Sequence, residues 1–214
     1  MMFQTDEPLA IPLWINGHAY LTLAPAFQDV RNPASGVVLR RTPLCGHGEA
    51  QKAVEAAQDA LTLWATQTRD ARANLLSALG AALSEYAGHF ARLIVEETGV
   101  DSEAAEAEVS GAIELLIGNA AGKAAAEATR PGVVGIVGNS AAPLLGPLQW
   151  AVPALRAGAT VVIKPNPATP SAIFALAELT GRCAFPGGVF SILHGGEAAV
   201  EGLRRVSGVK LLTA

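Results

Sequence analysis

The sequence is poor in charged residues and in the residue types that bind metals or attack substrates. Only 16% of its 214 residues are charged, and the net charge is −4. That balance argues against nucleic acids and anionic membranes as partners, because both select proteins with basic patches. The histidines are too scattered for a metal cluster, so we expect no metal site: they are His18, His47, His89 and His194.

Cysteine is almost absent. Cys45 and Cys183 lie far apart in the chain and fit no metal-binding spacing. A reactive thiol needs an electropositive, partly exposed setting and a nearby base, and the sequence shows neither around these residues. We therefore expect two reduced structural thiols, as is usual for a cytoplasmic protein.

Targeting and membrane signals are also missing. The N-terminal MMFQTDEPLAIPLW has an acidic pair and a proline where a secretory signal needs basic residues and an apolar run. The longest uncharged stretch, residues 132–155, is broken by three prolines, which a membrane helix of about 18 residues would not carry. Half of the residues are hydrophobic, and a soluble chain this apolar often covers part of its surface with a partner.

The first 131 residues are predicted to form β structure followed by helices. PLWINGHAYLTL alternates about Asn16-Gly17, which is typical of a hairpin, and we expect β structure over residues 11–43. Helical spacing then predicts a long helix up to Trp64 with an apolar face. Two more helices are expected over 69–99 with a break at 86–89, and a fourth runs from Asp101-Ser102, its N-cap, to Ile117. Residues 123–131 form a short polar connector.

From Gly132 the pattern changes to short apolar runs that alternate with helical segments. It predicts four strands and three helices, and continuous apolar runs favour parallel strands covered on both faces. The fold class is therefore α/β, an open, doubly wound, Rossmann-like parallel sheet preceded by a β-hairpin and a helical segment. We expect residues 1–131 and 132–214 to pack as one compact unit, with any ligand beyond the carboxyl ends of the strands.

Stretches that carry a family resemblance run along the whole chain in one order. They are INGHAY, FQDVRNPASGVVL, KAVEAAQDALTLW and RANLLSALGAAL, then ETG, PGVVGIVG, ALRAGATVVIKPNPATP, FPGGVFSILHGG and GVKLLTA. Together they resemble the N-terminal, nucleotide-binding half of the NAD(P)-dependent aldehyde dehydrogenase superfamily. Each stretch alone is weak, but the collinear set is specific.

The resemblance implies a catalytic turn after the first parallel strand, where the family has T-P-W-N-F-P. The asparagine of that turn helps to form the oxyanion hole, and laid without gaps its position holds Ala141, while Ser140 replaces the tryptophan. An oxyanion-hole donor is worth about 2.7–4 kcal/mol of barrier. We therefore expect this chain to lack dehydrogenase chemistry at the turn.

A second departure lies at the end of the next strand, where the family has K-P-S-E and its lysine and glutamate hold the adenosine ribose. Lys164 is retained, but Pro167 replaces the carboxylate and offers no side-chain acceptor. Lys164 is open to two interpretations. It binds a phosphate, such as a 2′-phosphate, or it is a solvated lysine at a strand end.

A third departure is at Leu212-Thr213-Ala214, where the family has F-T-G-S and a helix that receives the pyrophosphate. We expect neither that helix nor the catalytic domain, with its cysteine and glutamate, in this polypeptide. The connector GKAAAEATRPG is also too short for the hairpin with which the family builds its oligomers, so the usual oligomer contacts are in doubt.

The candidate cofactor-binding residues are Val137, Gly138, Lys164 and Gly195, in a vestigial crevice, and no catalytic residue is expected. The strand-end glycines suit either a close ligand or a tight turn. His194, at the end of the third parallel strand, is expected to face this crevice. The remaining acidic helix residues are interpreted as solvated: Glu96, Glu97, Glu103 and Glu106.

Three functions stay open at this point. The first is a truncated, aldehyde dehydrogenase-like pseudoenzyme that acts as a structural or interaction subunit, its interdomain face covered by a second copy or another protein. The second is one subunit of a split NAD(P)-dependent dehydrogenase. The third is a repurposed nucleotide- or anion-binding module. No bound cofactor is expected, with NAD(P) as the alternative.

Overall fold

The computed structural model describes residues 8–118 and 131–214. These two ranges contain eight strands and seven helices, which alternate in the second range as the sequence pattern predicts. The strands are β1 (Leu13–Ile15), β2 (His18–Tyr20), β3 (Phe27–Arg31), β4 (Val38–Pro43), β5 (Val133–Val137), β6 (Thr160–Lys164), β7 (Phe190–Ile192) and β8 (Val209–Thr213). The helices are α1 (His47–Thr66), α2 (Arg69–Glu85), α3 (Ala87–Thr98), α4 (Ser102–Ile117), α5 (Leu145–Ala157), α6 (Ser171–Arg182) and α7 (Glu197–Arg205).

The central sheet has the strand order β2-β1-β7-β6-β5-β8. The four strands of the second range run parallel to one another, and every residue of β6 is buried. Because parallel strands are covered by helices on both faces, their side chains are apolar without alternation. The predicted α/β class with an open, mostly parallel sheet is confirmed.

The predicted hairpin is confirmed, but it also extends the sheet. Asn16 and Gly17 have φ of 54° and 77°, the left-handed values that a tight two-residue hairpin turn needs. Strand β1 pairs antiparallel with β7 through Trp14 and Ile192, so residues from the start of the chain close one side of the parallel sheet. Strands β3 and β4 form a separate two-stranded ribbon.

The helices cover the sheet in two layers with a third layer outside. Helices α1 and α7 pack on one face, and α5 and α6 pack on the other, where α2, α3 and α4 lie against them. Alternate residues of β6 show the division, since Val162 belongs to the core under α1 and α7 whereas Val161 and Ile163 belong to the larger core. No helix of the described ranges is both long and apolar enough to span a membrane.

The helix boundaries follow the sequence signals closely. Helix α2 ends at Glu85 and α3 begins at Ala87, so Tyr86 between them lies inside the expected break. The Asp101 carboxylate accepts a hydrogen bond from the Ala104 amide at 2.8 Å, which makes it the N-cap of α4. The connector 123–131 falls mostly outside the described residues, and the division of the chain at residue 131 stays a prediction.

Candidate functional site

The candidate crevice lies at the carboxyl ends of β5 and β6. The Gly138 amide donates a hydrogen bond to the Lys164 carbonyl oxygen at 2.8 Å, so the loops after the two strands touch. A Cβ on Gly138 would lie 3.2 Å from a side-chain atom of Pro147 and 3.5 Å from the Cα of Pro165. The structure therefore accounts for this glycine by a close approach of the chain to itself.

Lys164 is the residue of the crevice with the most unusual environment. It is only 5% exposed, so the interpretation as a solvated lysine is wrong. Its ammonium has no hydrogen-bond partner among the described residues. Burial lowers the pKa of Lys164, against the opposing charge of Glu197 in the first turn of α7. A partly desolvated ammonium without a partner costs free energy, which an anionic ligand would offset.

The turn after β5 is closed by its own side chain rather than opened toward a substrate. The Asn139 side-chain oxygen accepts from the amides of Ala141 and Ala142 at 2.8 and 3.2 Å. Its side-chain nitrogen donates to the Ala214 carbonyl at 2.7 Å, and the Ala214 amide donates to Val137. The methyl group of Ala141 offers no hydrogen-bond donor, and the Ala141 amide already donates to the Asn139 side chain.

Glu108 supports the turn in a way that its sequence pattern did not predict. Its carboxylate, on α4, accepts hydrogen bonds from the Leu144 and Leu145 amides at 2.8 and 3.0 Å. It therefore satisfies two of the amides at the head of α5, the helix that follows the turn. Burial raises the pKa of Glu108, and the two amide bonds oppose that rise. Its spacing of three residues from buried Ala105 and four from buried Ala112, on one helix face, was the available signal.

Gly195 has a packing role at the end of β7. Its φ of 146° lies in the region that favours glycine, and a Cβ there would lie 2.6 Å from Ala199 Cβ and 2.9 Å from the Cys45 carbonyl oxygen. The segment between β4 and α1 thus passes directly over this strand end. Contact of Gly195 with a ligand stays a prediction.

His194 does not face an open crevice, and that expectation is wrong. The side chain is completely buried, and its ring centroid lies 5.9 Å from that of Phe174. Nε2 hydrogen-bonds the Pro12 carbonyl at 3.1 Å, and Nδ1 has no partner in the described part of the chain. Burial lowers the pKa of His194 to about 4, helped by the charge of Lys164 and opposed by the bond to Pro12.

Both cysteines are free, as expected. Cys45 is buried, and desolvation, with the nearby charge of Glu49, raises its pKa to about 12. Burial also raises the pKa of Cys183, at the C-cap of α6, with Glu85 adding to the rise. A thiol with a raised pKa is a poor nucleophile at neutral pH. In residues 8–118 and 131–214, no three metal-binding side chains are grouped closely enough to hold an ion.

Glu97 corrects another expectation, because it is buried and not solvated. Its carboxylate accepts from Arg40 Nη1 at 2.6 Å, and from the amide and hydroxyl of Ser171 at 3.0 and 2.5 Å. The helical spacing of Phe90, Ile94 and Glu97 on one buried face was the signal for this burial. Glu103 and Glu106 are exposed, as expected.

The geometry agrees with comparisons to known proteins. A model of the "Aldehyde dehydrogenase family" matches residues 23–214. A glutarate-semialdehyde dehydrogenase of Pseudomonas aeruginosa is 35% identical over 81% of this chain and 39% of its own length. A malonate-semialdehyde dehydrogenase of Listeria innocua is 29% identical over 94% of this chain and 44% of its own length.

Solved structures extend the likeness to the fold. Lactaldehyde dehydrogenase from Escherichia coli superposes with a TM-score of 0.85 at 29% identity, over 95% of this chain and 47% of that one. HpcC from Thermus thermophilus superposes with a TM-score of 0.85 at 26% identity, over 98% and 44%. The chain thus spans less than half the length of these relatives and belongs to the aldehyde dehydrogenase family.

Proposed function

We propose that this chain is an aldehyde dehydrogenase-like pseudoenzyme that has no dehydrogenase activity on its own and acts as a structural or interaction subunit. The observation that carries the proposal is the turn after β5. Ala141 stands where the family has its oxyanion asparagine, and Asn139 closes the turn by accepting the amides of Ala141 and Ala142. Without a donor aimed at a developing oxyanion, a main source of transition-state stabilisation is missing.

The open edge of the sheet supports the interaction part of the proposal. Strand β8 is the last in the sheet order and pairs only with β5 among the described residues. Its Leu211 and Leu212 are half-buried, on opposite faces of the sheet. An unpaired edge presents amides and carbonyls that another strand can pair with. We propose that a second copy or another protein covers this side, and that the chain is cytoplasmic.

An activity assay combined with sedimentation tests this function. The purified chain should produce no NADH or NADPH from malonate, glutarate or succinate semialdehyde or from lactaldehyde, with the Pseudomonas aeruginosa enzyme as the positive control. In sedimentation at micromolar concentration the chain should associate with itself or with a co-purified protein. Oxidation of an aldehyde would contradict the first part, and a monomer that co-purifies with nothing would contradict the second. Oxidation that needs an added second protein would favour a split dehydrogenase.

A second candidate function, binding of a phosphate-bearing nucleotide, is favoured by the environment of Lys164. Lys164 is 5% exposed, and its ammonium has no hydrogen-bond partner among the described residues, at the carboxyl edge of the sheet, where open α/β sheets bind ligands. Pro167 removes the carboxylate that would repel a phosphate there. We propose NADP⁺ as the preferred ligand over NAD⁺, since its 2′-phosphate supplies the anion.

Lys164→Met is expected to weaken NADP⁺ binding about 10- to 100-fold, because a hydrogen bond to a charged group contributes about 1.5–3 kcal/mol. Isothermal titration calorimetry with NADP⁺, NAD⁺ and AMP measures the change. Lys52→Met is the control, because Lys52 is a surface lysine that donates to the Tyr20 hydroxyl and is far in sequence from the candidate site residues. Equal NADP⁺ affinity in Lys164→Met and the native chain, or no heat at millimolar ligand, would refute this candidate.

A further inference from the structure

The loop over residues 165–170, between β6 and α6, is held by side chains from two other elements. Thr42 of β4 is fully buried and donates its hydroxyl to the Pro167 carbonyl at 2.9 Å. At the end of the loop, Glu97 of α3 accepts both the amide and the hydroxyl of Ser171. The loop is therefore fixed at its middle and at its end by residues far away in the sequence.

Arg40 reinforces the second of these contacts, the one between Glu97 and Ser171. Its Nη1 donates to the Glu97 carboxylate at 2.6 Å and to the Ser171 hydroxyl at 2.8 Å. Its Nη2 donates to Glu96 at 3.3 Å, where the pair reaches the surface. Glu97 and Ser171 are each 6% exposed, and charge-assisted hydrogen bonds away from water are stronger than neutral ones.

The start of the same loop lies against the candidate site residues. Pro165 follows Lys164 directly, and Gly138 lies against Pro165 while its amide holds the Lys164 carbonyl. A shift of the loop would therefore move the backbone that carries the ammonium. The ribbon of β3 and β4 and the end of α3 lie behind the loop and fix its position.

We propose that Thr42, together with Glu97 and its partner Arg40, positions the anion site at Lys164, so that the β3–β4 ribbon sets how tightly the chain binds a phosphate-bearing nucleotide. This inference rests on the nucleotide binding proposed above. The three residues touch the loop and not the ligand. Their effect on affinity passes through the backbone of residues 164–171.

Thr42→Val and Glu97→Gln test the proposal, with Asp29→Asn as the matched control. Asp29→Asn breaks the ion pairs with Arg31 and Arg41 within the same ribbon and leaves the loop contacts in place. Hydrogen exchange measured by mass spectrometry on peptides covering 164–171 should become about tenfold faster in both test variants, as expected for one lost hydrogen bond. NADP⁺ affinity should fall about three- to tenfold in the test variants and stay unchanged in the control.

Each result decides the matter. Unchanged exchange in Thr42→Val and Glu97→Gln overturns the proposal, and so does faster exchange with unchanged NADP⁺ affinity, which would mark the contacts as merely structural. Thr42→Val alone carries the test if Glu97→Gln does not fold. If the native chain binds no NADP⁺, the proposed nucleotide binding is wrong, but the positioning role of Thr42 and Glu97 can still be tested. NMR titration of the Lys164 ammonium then provides that test. Its pKa should then rise toward 10.5 in Thr42→Val and not in Asp29→Asn, and no rise overturns the proposal.

Discussion

Trp64→Ala is expected to lower the free energy of unfolding by about 3–5 kcal/mol. Trp64 is fully buried on α1, and its ring stacks on Phe185 at 5.7 Å between centroids. Its indole nitrogen donates to the Leu155 carbonyl at 3.1 Å, which ties α1 to α5. Alanine would leave a large cavity and would remove one of the two hydrogen bonds that the Leu155 carbonyl accepts, the other coming from the Gly158 amide. The transfer, cavity and hydrogen-bond losses therefore act together.

Urea unfolding followed by far-ultraviolet circular dichroism measures this loss. The neighbouring Leu63→Ala is the matched control, because Leu63 is 61% exposed and its truncation should change stability by less than about 0.5 kcal/mol. Trp64→Phe should lie between the two, since it keeps an aromatic ring and loses the donor. A loss below about 1 kcal/mol for Trp64→Ala would contradict the packing described for this residue.

Acidification from pH 6.5 to 4 is expected to remove about 3 kcal/mol of stability through His194 alone, at about 1.4 kcal/mol per pKa unit. Its pKa falls from an ordinary value of 6.5 to about 4 in the folded chain. Between these values the unfolded chain binds the proton and the folded chain does not, so stability rises with pH. The contribution is complete above pH 6.5 and is lost as the pH falls through about 4.

Comparison of the native chain with His194→Gln isolates this contribution. Urea midpoints taken between pH 4 and 7 should show a steeper slope in the native chain, because glutamine does not titrate. Direct NMR titration of the His194 ring should show it neutral at pH 6. Identical slopes in the two proteins, or a ring that takes up its proton near pH 6.5, would be the contrary result.

Local patterns predicted much of the fold because they report on single elements. Asn16-Gly17 indicated the hairpin, and Asp101 indicated the start of α4. The continuous apolar runs indicated the parallel strands. The partner of the hairpin was not predictable in this way. Pairing of Trp14 with Ile192 joins residues from opposite ends of the chain, and no local period reports which strand edge the hairpin extends.

The candidate site was less predictable because burial there depends on distant segments. Lys164 ends a strand, a place where lysines are commonly solvated, yet here it is 5% exposed. Glu97 was judged by its charge, although its spacing from Phe90 and Ile94 placed it on the apolar face of α3. The position of Ala141 was readable from the sequence, whereas the hydrogen bonds by which Asn139 closes its turn leave no pattern in the sequence.

The antiparallel pairing of β1 with β7 has a consequence for how the chain is made. Strand β1 leaves the ribosome first, but the strand edge that it extends spans residues 190–192. Strand β1 can pair with β2 as soon as both are made, but its pairing with β7 must wait until residues 190–192 have emerged. Contacts between such distant residues raise the contact order and slow folding, because loop closure precedes the gain from pairing. Joining of the hairpin to the parallel sheet is thus a late step that cannot precede the synthesis of β7.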